Sequence, residues 1–313
     1  MKVAIVSKGE GGVDYHRLIK PFSLLDYDVT RCEGVSEEVF DYNFDVVVFS
    51  RILPIVKQKE FIQKLQSKGT YVICDVDDHW VLSSNHATKK VGDAFRKFSI
   101  DALMYSDEVW TTHELLGKEI ERLNANWYVI PNALDPNEPQ WQPVNKDSLT
   151  SKPRIGWAGG ITHFHDLMLT KDAWGDTVPV ICGFNEHPEW VRLADKFKAD
   201  YINALPVTEY GLLYDQFDIA IAPLEDNKFN RCKSNLKILE AGMKGNIIFV
   251  QNIHPYIDDA KGIFKVDDWN AAIQKASSME VNEIQEQGQA LREYTLANYD
   301  LNKVNELRKE RLG

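Results

Sequence analysis

FNRCKSNLKILEAGMKGNIIFV, residues 229–250, sets two cations, Arg231 and Lys233, ahead of a helix-forming segment and closes in a run of buried-strand character. A helix start near Ser234 presents free N–H groups and the positive end of a dipole, and both attract phosphate. Glu240, seven residues beyond Lys233, falls near the far end of that helix, where a carboxylate can accept two hydrogen bonds from a ribose diol. Gly242 and Gly245 end the helix and let the next strand approach closely.

The same alternation of helix and apolar strand continues on both sides. RIGWAGG (154–160), VPVICGF (178–184), DIAIAPL (218–224) and NIIFVQ (246–251) read as buried parallel strands, separated by helical patterns over 187–198, 208–217 and 233–244. Upstream, VAIVS (3–7), DVVVFS (45–50), TYVICDV (70–76), EVWTT (108–112) and WYVIP (127–131) repeat the theme, with helices over 57–68 and 113–123. Pro136, Pro139, Pro143 and Pro153 punctuate a polar stretch between the halves that fits neither period. The expectation is an α/β chain of two Rossmann-like doubly wound domains facing a central cleft. The first domain spans 1–134, a linker 135–153 and the second domain 154–285; helices over 286–313 are free to pack back on the first domain.

A length of 313 residues suits two domains. Hydrophobic residues at 44% and charged residues at 27% are ordinary globular usage, which excludes disordered and fibrous classes. The net charge of −11 disfavours sequence-independent grip on DNA, which needs a broad basic surface. Cys32, Cys74, Cys182 and Cys232 form no CxxC pair and read as free thiols of a reducing compartment. The N-terminus MKVAIVSKG lacks a signal-peptide core and no run reaches roughly 18 apolar residues, so the expected location is cytoplasmic. No basic amphipathic segment offers a membrane dock, and no integral membrane contact is expected.

The order in 229–250 of cations, helix, Glu-Ala-Gly, Lys-Gly and buried strand resembles the nucleotide-sugar-binding motif of GT-B glycosyltransferases, specifically the retaining family 4. The resemblance extends over most of the chain and includes GWAGGITHFHDL at 156–167. It implies the GT-B fold and transfer of a sugar from a nucleoside diphosphate sugar to an acceptor hydroxyl, with retention and with neither metal nor other cofactor. It implies further that Glu240 binds the donor ribose, that Lys233 with Arg231 faces the diphosphate, and that Ser234, Asn235 and Leu236 lie beside the donor. The family carries two glutamates seven residues apart; here Cys232 stands at the first position. Backbone N–H groups with Ser234 or Asn235, or Glu225 from the preceding loop, are the substitutes. The implied acceptor is a saccharide. Compact relatives in phages glycosylate hydroxymethylated DNA bases, and Lys89, Lys90, Arg96 and Lys97 are the cluster that would meet such a backbone. A nucleotide-sugar epimerase and a non-catalytic nucleotide-sugar-binding protein are the alternatives from other classes.

Other candidates sit at strand ends. Gly159 and Gly160 let backbone approach a diphosphate, Thr162 can donate to its oxygens, and His163 lies beside the donor in the family reading. His163-x-His165 with Asp166 can also be read as a metal pair, or His163 as a surface residue. In the first domain Gly11 and Gly12 permit close approach, Tyr15 and His16 stand at the helix mouth, and Arg17 is the candidate second positive charge in the cleft. Asp77 and Asp78 follow a strand and either orient the acceptor hydroxyl or cap a helix. His113 is a cap or a cleft residue, and Asn132 makes a turn with access to the cleft.

Overall fold

A computed structural model of the chain describes residues 1–9, 11–35, 43–53, 55–143 and 152–313. The linker positions 144–151 lie outside the described residues. Two six-stranded sheets, parallel throughout, carry the fold. The first is ordered β2-β1-β3-β4-β5-β6, with β1 Lys2–Ser7, β2 Asp28–Glu33, β3 Val46–Ser50, β4 Tyr71–Val76, β5 Glu108–Thr111 and β6 Trp127–Val129. The second is ordered β12-β11-β10-β7-β8-β9, with β7 Ile155–Ala158, β8 Val180–Phe184, β9 Asp200–Asn203, β10 Ile219–Ala222, β11 Ile247–Gln251 and β12 Ile263–Val266.

The central strands β1, β3 and β4 are apolar on both faces, because helices cover each side of a parallel sheet. The helices are α1 over 12–23, α2 Gln58–Ser67, α3 Lys89–Tyr105, α4 Glu114–Ile120, α5 Pro188–Ala194, α6 Lys228–Arg231, α7 Leu236–Met243, α8 Trp269–Ser278, α9 Val281–Tyr299 and α10 Leu301–Leu312. The helix expected over 233–244 is α7, starting three residues later at Leu236, and the short helix α6 precedes it, with Cys232 to Asn235 as the turn between them. Among the described residues no helix is long and apolar enough to cross a membrane.

Two boundaries differ from the sequence expectation. Trp141, inside the polar linker, is fully buried against Leu134, Leu239 and Met243, and its indole N–H donates to Glu138 at 3.0 Å. The chain between the domains is therefore packed as far as Trp141. The C-terminal segment divides at Asp300, not at 286. Leu291 of α9 packs with Ile238 and Ala241 of the second domain, and a Cβ on Gly242 would sit 2.1 Å from the Thr295 hydroxyl, so α9 belongs there. Leu301 and Val304 of α10 join Val3, Ile5, Leu18 and Phe22 in the first core, and the Asn305 amide donates to the Pro21 carbonyl at 3.0 Å.

Arg17 is also placed differently from its expected role as a cleft charge. Helix α1 carries a π-helical stretch, Tyr15–Ile19, which turns Arg17 beneath the sheet. Its guanidinium, 1% exposed, pairs with Asp75 of β4, which is 0% exposed, at 2.9 and 2.7 Å. It also donates to the Ile130 carbonyl at 2.6 Å and the Asn132 side-chain oxygen at 3.1 Å. Four of its five N–H donors are thus taken up in the interior of the first domain. Arg308 of α10 is buried beside this pair, and burial followed by the Arg17 charge lowers its pKa to about 9. Removing Asp75 strands two buried guanidinium groups, so Asp75→Asn should destabilise the protein by about 3–5 kcal/mol. Urea denaturation should read this as a lower midpoint; an unchanged midpoint would refute the assignment of this pair as a structural anchor.

Candidate functional site

In each sheet the strand order reverses once, between β1 and β3 and between β7 and β10. Loops leaving adjacent strands at such a point diverge to opposite faces and open a crevice at the carboxyl ends. Lys8 follows β1, Arg51 follows β3 and Asp77 and Asp78 follow β4; facing them are Thr162 and His163 after β7, and Phe229 and Lys233 after β10. These loops enclose a cavity of about 450 Å³ lined by Lys8, Arg51, Asp78, Thr162, His163 and Lys233 together with apolar residues of the first domain.

A network of charges spans it. Arg51 grips Asp77 at 2.6 and 2.8 Å and Asp78 at 2.8 Å, and Asp78 lies 3.7 Å from the Lys233 ammonium of the opposite domain. Lys233 also lies 4.6 Å from the centre of the Phe229 ring. Burial alone would raise the Asp78 pKa, but Lys233, Arg51 and His163 hold it down at about 2. Arg51 has φ of 59°, left-handed backbone that costs a non-glycine residue roughly 1–2 kcal/mol. The two carboxylates on its guanidinium hold it in that conformation. His163 donates through Nδ1 to the Asp166 carboxylate at 2.8 Å, while burial and then the Lys233 charge lower its pKa. Asp166 in turn accepts from the Glu225 N–H at 2.9 Å and the Asn230 amide at 2.8 Å, tying the two loops of the second domain together.

Glu240, 2% exposed, lies deeper in α7. Its Oε2 accepts from the Tyr214 hydroxyl at 2.7 Å and the Lys237 ammonium at 2.9 Å. Burial and then the Glu240 charge push the Tyr214 pKa well up, so both partners stay protonated donors and leave Oε1 for a further donor. His16, buried against Trp141, completes this end, and burial followed by the Glu240 charge governs its pKa, the net effect being downward.

No protein-family model and no curated protein matches the chain by sequence. Solved structures do match over nearly the whole length. An alpha-glucosyltransferase in complex with UDP-glucose and DNA containing an abasic site aligns with TM-score 0.64 and 11% identity, covering 99% of this chain and 98% of that one. An alpha,alpha-trehalose-phosphate synthase (UDP-forming) from Burkholderia vietnamiensis aligns with TM-score 0.62 and 10% identity over 99% of both chains. AviGT4, a glycosyltransferase involved in Avilamycin A biosynthesis, aligns with TM-score 0.59 and 12% identity over 99% of this chain and 96% of that one. The chain has the GT-B fold.

Within that GT-B frame the expected site residues divide into two groups. Lys233, Thr162, His163 and Asp78 line the central cavity. Asp77 reaches it through Arg51, and no helix follows these two carboxylates closely enough to be capped by them. A Cβ on Gly160 would meet only the Thr162 hydroxyl, at 3.8 Å, and Gly11 and Gly12 have nothing within 4 Å. Tyr15 donates to Glu138.

The others are engaged elsewhere. Gly159 is required by the Trp157 ring, 2.4 Å from where its Cβ would lie. Arg231 points to solvent and pairs with Asp226. Leu236 packs in the cluster around Trp141. Cys232, at the position of the first family glutamate, is 1% exposed and packs into the first domain's core. Glu225 is held by Asn85 at 3.1 Å in a neighbouring cavity. The His163-x-His165 metal alternative finds no cluster of three ligating side chains among the described residues.

Sequence reasoning passed over Lys8 and Arg51. Their only signal was a cation directly after an apolar strand.

Along the inner edge of the cleft, Ser234 accepts from the Asn132 amide at 2.7 Å and Asn235 donates to Asp258 at 2.7 Å. His113 caps α4 by accepting from the Leu116 N–H at 3.3 Å, and its Nε2 lies 3.0 Å from the Cys232 carbonyl of the other domain. That pair of contacts fixes the neutral ring with its proton on Nε2. Burial lowers the His113 pKa to about 4, against about 6.5 in an unfolded chain. Because the folded value is depressed, its contribution is complete above pH ~6.5 and lost as the pH falls toward 4. Stability measured by urea denaturation should fall across that window, and His113→Asn should flatten the slope. An identical slope in the variant would remove His113 as a titrating contact.

Proposed function

We propose that the protein is a glycosyltransferase that moves a sugar from a nucleoside diphosphate sugar to an acceptor hydroxyl with retention of configuration. The observation that carries this reading is the convergence of Lys233 and Arg51 from opposite domains on one cleft at both strand-order reversals. A leaving diphosphate accumulates charge as the glycosidic bond breaks, and fixed cations in a partly buried site stabilise that charge most where it develops. Lys233 is the main group in this role. Arg51 holds a second charge nearby, and Thr162 and the open backbone at Gly160 supply neutral donors. Glu240, prepositioned by Tyr214 and Lys237, receives the ribose diol on its remaining oxygen. UDP-glucose, bound by the alpha-glucosyltransferase neighbour, is the first donor to try.

Incubation with a panel of nucleotide sugars, beginning with UDP-glucose and read by mass spectrometry, should give hydrolysis or transfer. Interconversion of sugars or binding without turnover would overturn the proposal. One charge-assisted hydrogen bond contributes about 1.5–3 kcal/mol, so Lys233→Ala should lower kcat/KM for the donor at least tenfold while the unfolding midpoint stays near the wild-type value. Glu240→Gln should lower it similarly. This variant is a cleaner test than Glu240→Ala, which leaves the Tyr214 hydroxyl and the Lys237 ammonium buried and short of a partner. Near-normal donor turnover in both variants would sink the donor-site assignment.

A further inference from the structure

The central cavity is chemically divided. One part of its lining, called here the inner end, carries Lys233, Arg51 and Thr162, whereas another, from the first domain and called here the outer end, is formed by Trp80, Leu82, Val91 and Phe95, with the Thr88 and Ser99 hydroxyls and the His79 and His86 imidazoles beside them. Positions 88, 91, 92, 95 and 99 recur at helical spacing and place one stripe of α3 on the cavity. Val91 is 58% exposed and Phe95 47%, large apolar side chains that the chain itself leaves uncovered. The cations of the same helix look elsewhere: Lys90, Arg96 and Lys97 are exposed and absent from the cavity wall, and Lys89 is paired with Asp93. Trp80 stacks on His79 with ring centroids 4.4 Å apart and planes at 12°, so one indole face is occupied and its orientation is held.

We propose that this outer end is the acceptor site and that it takes an uncharged hydroxylated aromatic compound, a phenol with a flat apolar face; the proposal rests on the glycosyltransferase reading above. A saccharide brings a hydroxyl on nearly every carbon, each needing a partner once desolvated, and this wall offers two hydroxyls and two imidazoles whose Nδ1 atoms already accept from the Val81 and Thr88 N–H groups, beside an apolar stripe. A nucleic acid brings phosphates, and the wall offers them no cation. A fused aromatic ring loses apolar surface to Phe95, Val91 and Leu82 and keeps its single hydroxyl directed at the charged inner end. In the transfer, the acceptor oxygen bonds to the anomeric carbon. The bond from that carbon to the diphosphate oxygen breaks with its electron pair going to the diphosphate, which also receives the hydroxyl proton.

The test uses 2-naphthol as the probe on the full chain at pH 7, with binding read from its fluorescence and no donor present. Saturable binding is expected, weakened more than tenfold by Phe95→Asp and by Val91→Asp, with binding of UDP measured in parallel and circular dichroism unchanged because both side chains are half exposed. Mass spectrometry with an active donor should then give the naphthyl glycoside. Absence of binding to the wild type, equal binding by both variants, or displacement of the probe by maltose or a single-stranded oligonucleotide would overturn the proposal. Failed naphthol binding alongside intact donor hydrolysis rejects the aromatic acceptor site alone, whereas naphthol binding without turnover of any nucleotide sugar rejects the glycosyltransferase reading.

Discussion

The Arg17 guanidinium donates to both oxygens of Asp75, to the Ile130 carbonyl and to the Asn132 side-chain oxygen, all in the interior of the first domain. Because Asn132 accepts through its oxygen, its amide nitrogen is forced the other way, where it donates to Ser234 of the second domain. Ser234 directly follows Lys233. A buried pair thus fixes where Lys233 enters the cleft, and the cost of burying an arginine is offset by these four hydrogen bonds. An arginine at a helix mouth looks like a ligand-binding charge in the sequence. Here it orients the loop that carries Lys233.

The network across the cleft has the same logic in reverse. Arg51 and Lys233 converge on Asp77 and Asp78, so the cations are held in place without any anionic ligand. In the proposed reaction a diphosphate would meet charges already ordered, shared with carboxylates. Preorganisation of this kind reduces the reorganisation required as charge develops.

The fold was legible wherever strands are buried on both faces. Nine runs of apolar, often β-branched residues were recognised from VAIVS to NIIFVQ, because a central parallel strand must be apolar throughout. The three strands that escaped, β2, β9 and β12, are all sheet edges. DVTRCE, DYIN and IFKV are half exposed and give no continuous apolar run. Of the cavity wall, Lys233 was legible, as a cation directly ahead of a helix. Arg51 was hidden because its role depends on Asp77, 26 residues away. Trp141 was hidden by prolines that signal a loop correctly but say nothing of what the loop packs against.

The polypeptide crosses between the domains twice, and the crossings run side by side. Leu134 donates to the Tyr299 carbonyl at 3.1 Å, and Leu301 donates to the Leu134 carbonyl at 3.0 Å, so the outgoing and returning chains form a parallel bridge around Asp300. One covalent crossing would leave the domains free to twist about it as well as to open. Two crossings hydrogen-bonded to each other resist twist and leave opening and closing about the bridge as the soft coordinate. Any relative motion is thereby reduced toward one rotational degree of freedom, an arc that would carry Lys233 toward or away from Asp78.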